Sequence, residues 1–362
     1  MTPRTAIPVV IVGGGRVACA VHLPLIQMQP ELFELVGVVE TDPQRAGPLA
    51  REYPGITVFS QLDVAFDKGA RALICATPWP THRAIIMAAM KRGVHVLTEK
   101  PASLDPAELG AMLDAERSSE GTVAVGYMKR HDPAADRFIG MVSERLDRLR
   151  RISVDIVDPD SARQVAHRLI TPLEPSEATR AAGTRAVRAI LGEAATGEQM
   201  SIYGRGLGGS LIHEINLVHT ILSGSPYQLL GRLRYSTYWA GGTAVSSGWW
   251  PADDFGVEMS HVRAPQTPGY SAVVEAVTGD SRITLRAPCP YLLEQSMTVT
   301  DENGDRVTTY PASPQSNGFV RQLKRWGASI REQAPALPGL AEAIHDLAVV
   351  TEAALVSTGA PR

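Results

Sequence analysis

Six short apolar runs in the first third of the chain are separated by stretches with helical spacing. Runs that are apolar throughout, rather than at every second residue, are typical of strands buried on both faces. Such strands, alternating with helices, predict a doubly wound parallel sheet of the α/β class. The predicted strands are Ile7–Val12, Glu34–Glu40, Thr57–Phe59, Arg71–Ala76, Val94–Thr98 and Thr122–Val125, and the predicted helices begin at about Arg16 and span Pro43–Glu52, Thr81–Arg92 and Asp105–Glu116.

After residue 150 the predicted strands follow one another without intervening helices. Turn sequences at residues 278–281 and 301–305 favour hairpins, so we expect a mostly antiparallel sheet and an α+β domain. The Ala- and Arg-rich residues 159–198 are compatible with one or two helices or with a mobile excursion. The predicted strands are Ile152–Val157, Leu229–Tyr238, Gly256–Val262, Ser271–Val277, Arg282–Arg286, Ser296–Thr300 and Arg306–Tyr310, and the flanking helices are Ala134–Leu149, Gly318–Ile330 and Leu340–Val356.

Composition excludes several classes of protein. The 362 residues suffice for about two domains. A net charge of −3, with no strongly basic block, argues against a nucleic-acid partner. Three scattered cysteines favour a reducing compartment over a disulfide framework, and we expect no metal site. No apolar run is long enough to span a membrane, and the segment of residues 1–8 is short and polar. We therefore expect a cytoplasmic protein without a membrane partner.

A glycine-rich hexapeptide directly follows the first predicted strand, where the next helix begins. Gly13 permits a tight turn, Gly15 lets a pyrophosphate approach the backbone, and Ala18 allows close packing of helix on strand. Free N–H groups and the helix dipole favour an anion there. The spacing therefore predicts dinucleotide binding by Gly13, Gly15, Arg16, Val17 and Ala18.

Glu40 ends the second predicted strand, where a carboxylate can accept hydrogen bonds from the adenosine ribose. A carboxylate repels a 2′-phosphate, so we expect NAD rather than NADP. Arg16 and Arg45 lie near this position in sequence. They are interpreted either as solvated helix charges or as phosphate contacts.

Two further motifs follow predicted parallel strands, at the edge where open α/β sheets bind ligands. Thr77, Pro78 and His82 follow the fourth strand, and Glu99 and Lys100 follow the fifth. A lysine at this edge projects into the ligand crevice, although an ordinary surface charge is the alternative interpretation.

With these motifs the chain resembles the Gfo/Idh/MocA oxidoreductases, the glucose–fructose oxidoreductase and inositol dehydrogenase family. The resemblance rests on residues 13–18, His22-Leu-Pro, 77–82, 91–101, 126–133, 208–216 and 319–326. It implies a Rossmann domain at residues 1–126 and, at 127–362, an α+β domain with an open sheet. That sheet would bind substrate and assemble a homodimer or homotetramer.

The resemblance also implies residue roles. Lys100 would contact the reacting hydroxyl, and His213 would be the general acid/base, a role that suits a side chain titrating near neutral pH. NAD would bind across the glycine turn, Glu40 and a second set of residues, namely Thr77, Pro78, His82, Glu99 and Lys100.

One position departs from the family pattern, because Gly209 stands where an aspartate is usual. His219 is consequently an alternative acid/base, and a purely structural role for His213 stays open. Tyr127, Arg130 and Asn216 are candidate substrate contacts. Residues 159–198 and the Trp249–Trp250 pair, expected in a loop, are candidates for specificity.

The expected reaction is hydride transfer between nicotinamide and a secondary hydroxyl or ketone of a sugar, sugar derivative or cyclitol. The family also contains lyases and hydrolases that oxidise transiently with bound NAD, and a regulator that binds the dinucleotide without chemistry. Both remain alternative hypotheses at this point.

Overall fold

The computed structural model describes residues 6–168, 175–311, 316–332 and 337–359. Residues 1–5 of the polar segment 1–8 and residues 169–174 of the undecided 159–198 stretch lie outside these ranges. The described residues form two compact units, the first within Met1–Gly126, Val165–Gly183 and Gln322–Ile344, and the second within Tyr127–Gln164, Thr184–Arg321 and His345–Arg362. The predicted domain boundary after residue 126 stays a prediction.

Six parallel strands form the sheet of the first unit, in the order β3-β2-β1-β4-β5-β6. β1 pairs with β2 on one side and β4 on the other, and its Val9, Val10 and Ile11 are fully buried. The strand order reverses beside β1, and ligands bind at such a reversal in open α/β sheets. The strands are β1 (Ile7–Val12), β2 (Phe33–Val39), β3 (Val58–Phe59), β4 (Ala72–Cys75), β5 (His95–Thr98) and β6 (Val123–Val125).

Some of the helices between these strands begin at capping residues that the sequence shows. Asp42 and Asp105 cap two of them by accepting hydrogen bonds from Gln44 N and Ala107 N. A π-helical stretch, Ala18–His22, leads into the first helix, and the third was not predicted because its apolar pattern is short. The helices are α1 (Leu23–Gln27), α2 (Pro43–Glu52), α3 (Leu62–Asp67), α4 (His82–Lys91) and α5 (Pro106–Arg117).

A nine-stranded mixed sheet forms the core of the second unit, in the order β14-β13-β12-β11-β7-β10-β9-β8-β15. Central β7 pairs antiparallel with β11 and parallel with β10. Antiparallel pairs dominate elsewhere, so the predicted fold class is confirmed. The strands are β7 (Leu149–Asp158), β8 (Leu233–Trp239), β9 (Ala244–Trp249), β10 (Gly256–Arg263), β11 (Ser271–Thr278), β12 (Ser281–Ala287), β13 (Thr298–Asn303), β14 (Arg306–Pro311) and β15 (Thr358–Gly359).

The later helices include one long irregular stretch: a π-helical segment, Ile202–Leu211, runs directly into α10. Among the described helices, none is long and apolar enough to cross a membrane. The helices are α6 (Pro133–Ser143), α7 (Ser161–Gln164), α8 (Glu177–Leu191), α9 (Gly197–Ser201), α10 (Ile212–Leu222), α11 (Gly318–Glu332) and α12 (Leu340–Leu355), of which α8, α11 and α12 contribute residues to both units.

Two expectations for the second unit are corrected by the structure. Trp249 ends strand β9 and is fully buried, so its predicted loop placement is wrong. The predicted helix Ala134–Leu149 is shorter, because α6 ends at Ser143 and β7 already begins at Leu149. The described part of residues 159–198 is largely helical, which agrees with the helical alternative for that stretch.

Gly37 provides a test of the first sheet. It lies at a register shift between β1 and β2, and a Cβ built there would stand 2.4 Å from Thr57 O and 2.6 Å from Phe59 Cε2. We expect Gly37→Ala to lower the free energy of unfolding by about 3 kcal/mol, because backbone must move. Chemical denaturation measures this change.

Gly110, inside α5, is the matched control because a Cβ there meets nothing within 4 Å. Gly110→Ala should raise stability by about 1 kcal/mol through helix propensity. Equal stabilities of the two variants would contradict the close packing at Gly37.

Candidate dinucleotide and acid–base sites

The glycine turn after β1 is built so that only glycine fits its first position. Gly13 has φ +94°, and its N–H donates to Val39 O at 2.8 Å. A Cβ on Gly13 would stand 2.8 Å from Thr77 Cγ2 and 3.0 Å from Ala76 O. The turn after β1 therefore lies against the turn after β4, at the reversal of strand order.

The third glycine of the turn faces open space. The nearest atom to a Cβ built on Gly15 is Arg45 Nη1, at 3.6 Å. Ala18 is fully buried, as close helix packing requires. Arg16 is half-buried, and its Nε has no hydrogen-bond partner among the described residues. A bare backbone with room beside Gly15 fits the pyrophosphate of a dinucleotide.

Glu40 connects the glycine turn to the end of β2. Its Oε2 accepts from Gly14 N and its Oε1 from Asp42 N, both at 2.9 Å. The side chain is 8% exposed. Each carboxylate oxygen can accept more than one hydrogen bond, so this bracing leaves acceptor capacity for a ribose hydroxyl.

His82 lies inside the first unit, 1% exposed, and braces the turn after β4. Burial lowers the pKa of His82 against the opposing effect of its backbone hydrogen bonds, so the ring is neutral. Nε2 lies 2.8 Å from Thr77 O, and Nδ1 lies 3.3 Å from both Thr98 Oγ1 and Ala102 O. Thr77 Oγ1 also accepts a hydrogen bond from Thr81 Oγ1 at 2.7 Å. This bond tightens the same turn, in which Pro78 follows Thr77.

Lys100 follows β5 and is half-buried, joined to Pro101 by a cis peptide bond. Oε1 of the preceding residue, Glu99, lies 2.8 Å from His22 Nε2. His22 is 1% exposed. The pairing was not predicted, although both partners belong to recognisable motifs, because nothing in either motif indicates that the other is its neighbour.

His213 is carried by the first turn of α10 and is 8% exposed. The ring of Tyr127 meets it edge-on, with centroids 6.2 Å apart. His213 also lines a small cavity together with Lys129 and Glu214. Apolar residues complete the lining, namely Leu217, Ala272, Val274, Leu285, Ala287 and Met297.

A buried charged cluster beside this cavity was missed by sequence reasoning. Lys129 donates to Glu214 and, at 2.7 Å, to Tyr270 Oη. Burial lowers the pKa of Lys129, but Glu214 and Tyr270 outweigh it and the net pKa rises, so the ammonium is charged. Burial also raises the pKa of Tyr270 to about 12, against the effect of Lys129, so the phenol is neutral.

Asn216 and His219 share one partner on α12. Asn216 is fully buried and donates to Asp346 Oδ2 at 2.9 Å, while His219 Nδ1 lies 2.6 Å from Asp346 Oδ1. The network fastens α10 to α12, which places the amide of Asn216 away from solvent. His219 keeps 20% exposure of its side chain.

The two remaining positions of interest differ in character. Arg130, in the short 3₁₀ turn Met128–His131, is half-buried. Gly209 lies in the π-helical segment, and a Cβ there would stand 2.9 Å from Gly204 O. An aspartate at 209 would require the backbone to shift. Among the described residues, no three His, Cys, Asp or Glu side chains are grouped to hold a metal ion.

Residues 7–127 match the family model Gfo/Idh/MocA, described as an oxidoreductase family with an NAD-binding Rossmann fold. An inositol 2-dehydrogenase from Leifsonia xyli subsp. xyli is 33% identical over 123 residues, covering 33% of this chain and 36% of that protein. A UDP-N-acetylglucosamine 3-dehydrogenase from Acidithiobacillus ferrooxidans is 32% identical over 108 residues, covering 30% and 34%. The chain thus matches about a third of the length of these relatives.

Solved structures extend the likeness in fold to the whole chain. A 3-ketoreductase from Actinomadura kijaniata, KijD10, in complex with NADP and TDP-benzene, superposes with a TM-score of 0.73 at 14% identity, covering 98% of both chains. The A. ferrooxidans dehydrogenase superposes with a TM-score of 0.68 at 16% identity, covering 96% of both chains. The resemblance read from the motifs is confirmed over the first third of the chain, where residues 7–127 match the model of the Gfo/Idh/MocA oxidoreductase family with its NAD-binding Rossmann fold.

Proposed function

We propose that the protein is a dehydrogenase or reductase that transfers a hydride between NAD(H) and a secondary hydroxyl or ketone of a polyhydroxylated small molecule. The observation that carries this proposal is the glycine turn at the sheet's reversal of strand order. Its third glycine is open to a ligand, and its second donates to Glu40. Sugars, sugar derivatives and cyclitols are the proposed substrates, a choice supported by the names of the relatives.

The dinucleotide would be held by the glycine turn at residues 13–18, by Glu40 and by the turn that carries Thr77 and Pro78. When bound, it supplies the hydride acceptor or donor. Glu40 favours NAD, since its carboxylate would repel a 2′-phosphate. We propose that His82 contributes by holding Thr77 O in place, and that Glu99, paired with His22, orients the segment carrying Lys100.

The chemistry assigned to the chain itself is proton handling. The Lys100 ammonium donates a hydrogen bond to the reacting oxygen and stabilises negative charge that develops on it. His213 accepts the hydroxyl proton on oxidation and returns it on reduction, a role for which imidazole is suited near neutral pH. Arg130 is kept as a substrate contact. For Tyr127 and Asn216 we propose positioning roles, because both are buried, Tyr127 against His213 of α10 and Asn216 against Asp346 of α12.

We also propose assembly as a homodimer or homotetramer through the nine-stranded sheet. The face of this sheet that carries Arg151, Glu275 and Arg282 is partly exposed and lined by ion pairs. Light scattering of the purified chain tests the assembly, and a monomer at micromolar concentration would contradict it. Cytoplasmic location stays a prediction of the sequence.

A second candidate is a regulator that binds the dinucleotide without catalysis. Gly209, with its backbone close to Gly204 O, favours this candidate because the usual aspartate has no place there. A transient-oxidation lyase or hydrolase is the third possibility within the family. The absorbance of reduced nicotinamide, measured with a panel of polyols, sugars and keto-sugars, separates the three candidates. Turnover supports the dehydrogenase, whereas tight dinucleotide binding without turnover supports the regulator. A cofactor that co-purifies and does not exchange supports the lyase or hydrolase.

Substitution of the two proposed catalytic residues should separate binding from chemistry. We expect Lys100→Met and His213→Asn each to lower kcat by about 10²-fold or more, with the Kd for NAD little changed. Steady-state kinetics and calorimetric titration measure the two quantities. His219→Asn is the matched control on the same helix. If His219→Asn lost turnover and His213→Asn kept it, the acid/base assignment would pass to His219.

The glycine turn offers a test of dinucleotide binding that is independent of substrate. Gly15→Ala should keep the stability of the wild type, because its Cβ meets no atom closer than 3.6 Å, yet it should weaken NAD binding by about tenfold or more through contact with the pyrophosphate. Gly13→Ala should lower the stability itself, because of φ +94° and the approach of Thr77. Unchanged NAD affinity in Gly15→Ala would refute the proposed binding mode.

The cofactor preference is tested by titrating the wild type with NAD and with NADP. We expect a lower Kd for NAD, because the Glu40 carboxylate faces the place where a 2′-phosphate would add negative charge. Glu40→Ala should narrow the difference between the Kd for NAD and the Kd for NADP. A lower Kd for NADP in the wild type would show that Arg16 or Arg45 governs the preference instead.

A further inference from the structure

Lys129 joins three segments of the second unit that are far apart in sequence. It lies in the turn Met128–His131 and donates to Glu214, on α10, and to Tyr270, one residue before β11. Lys129 is 7% exposed and Glu214 2% exposed. An ion pair buried to this degree is a poor source of stability, since desolvation offsets most of the attraction. A role beyond stability is therefore worth seeking.

Glu214 has an oxygen that the fold does not use. While Oε1 accepts from Lys129, Oε2 is buried and has no hydrogen-bond partner among the described residues. Lys129, Glu214 and His213 line one small cavity. Charges act strongly on neighbours in such a poorly hydrated space.

The other described side chains that line this cavity carry no charge. From β11 and β12 the cavity lining is apolar, consisting of Ala272, Val274, Leu285 and Ala287. Tyr127 meets the imidazole with a ring edge, and Tyr270 stands behind Lys129 as a neutral phenol. Lys129 and Glu214 are thus the ionised side chains that line the cavity of His213.

We propose that Lys129 and Glu214 are positioning residues that set the orientation and the charge state of His213. Glu214 is the residue after His213 on α10, so fixing its carboxylate fixes the turn that carries the imidazole. That turn needs fixing, because a π-helical segment runs into it and π-helical geometry is irregular. The relevance of the pair to catalysis rests on the proposed function of His213.

The two charges of the pair act on His213 in opposite directions. A lone carboxylate nearby favours the imidazolium and raises the pKa of His213, whereas a lone ammonium disfavours it and lowers that pKa. As a pair they largely cancel. Removing either one should therefore shift the titration of His213, with a sign that depends on which one is removed.

The experiment is an NMR titration of the histidine ring protons in wild type, Glu214→Gln, Lys129→Met and the double variant, with His213 assigned by loss of its signal in His213→Asn. We expect the pKa of His213 to fall by about one unit in Glu214→Gln, to rise by about one unit in Lys129→Met, and to return close to the wild-type value in the double variant. Lys129→Arg, which keeps the charge, should leave it near the wild-type value.

A merely structural role for the pair would produce no opposite signs. Single variants that both leave the titration unchanged, or that both shift it in one direction, would overturn the proposal. Circular dichroism establishes that each variant folds, and where one single variant does not fold the other carries the test with its own sign. The titration needs no turnover, so it tests this inference separately from the proposed function. If the expected pKa shifts were found but His213→Asn were fully active, the inference would stand and the proposed catalytic role of His213 would be refuted.

Discussion

The hydrogen bond from Gly14 N to the Glu40 carboxylate braces the part of the first unit that is proposed to bind the dinucleotide. This bond joins the turn after β1 to the end of β2. The second carboxylate oxygen of Glu40 accepts a hydrogen bond from Asp42 N, at the start of α2. The turn after β1, the end of β2 and the start of α2 are thereby joined by one buried side chain. Gly13 also lies close to Thr77, so the same arrangement positions the turn after β4.

Buried histidines in the first unit serve this arrangement as braces. His82 spans from Thr77 O to the chain after β5, and His22 reaches Glu99 from the helical stretch that follows the glycine turn. Each uses an imidazole nitrogen where a carbonyl or carboxylate would otherwise lack a buried partner. These side chains thus add to the backbone hydrogen bonds from Ala76 N to Val12 O and from Glu99 N to Cys75 O that already join the ends of β1, β4 and β5. Residues conspicuous as ligand contacts in a motif can therefore act on the ligand through the backbone they hold.

The features that sequence could predict are those encoded by neighbours along the chain. Continuous burial of Val9–Ile11 and the spacing of Gly13 and Glu40 are local signals, and each has its counterpart in the structure. Strand β9 was missed because its Ala-Val-Ser-Ser-Gly sequence has weak strand propensity and becomes a strand through pairing with β8 and β10. The contacts of Lys129 span 85 and 141 residues, so no local pattern announces them. Prediction fails where a side chain's partner is chosen by the tertiary fold.

The departure at Gly209 is better understood from the structure than from the motif. In the π-helical segment a Cβ at position 209 would stand 2.9 Å from Gly204 O, so an aspartate at this position would require the backbone to shift. A carboxylate is nevertheless present near His213, on the next residue of α10, where Lys129 neutralises it. A carboxylate alone would favour the imidazolium, which cannot accept a proton, whereas a neutralised one leaves the imidazole free to do so. The proposed balancing of charge by the Lys129–Glu214 pair would thus make loss of the aspartate compatible with the proposed acid–base role of His213.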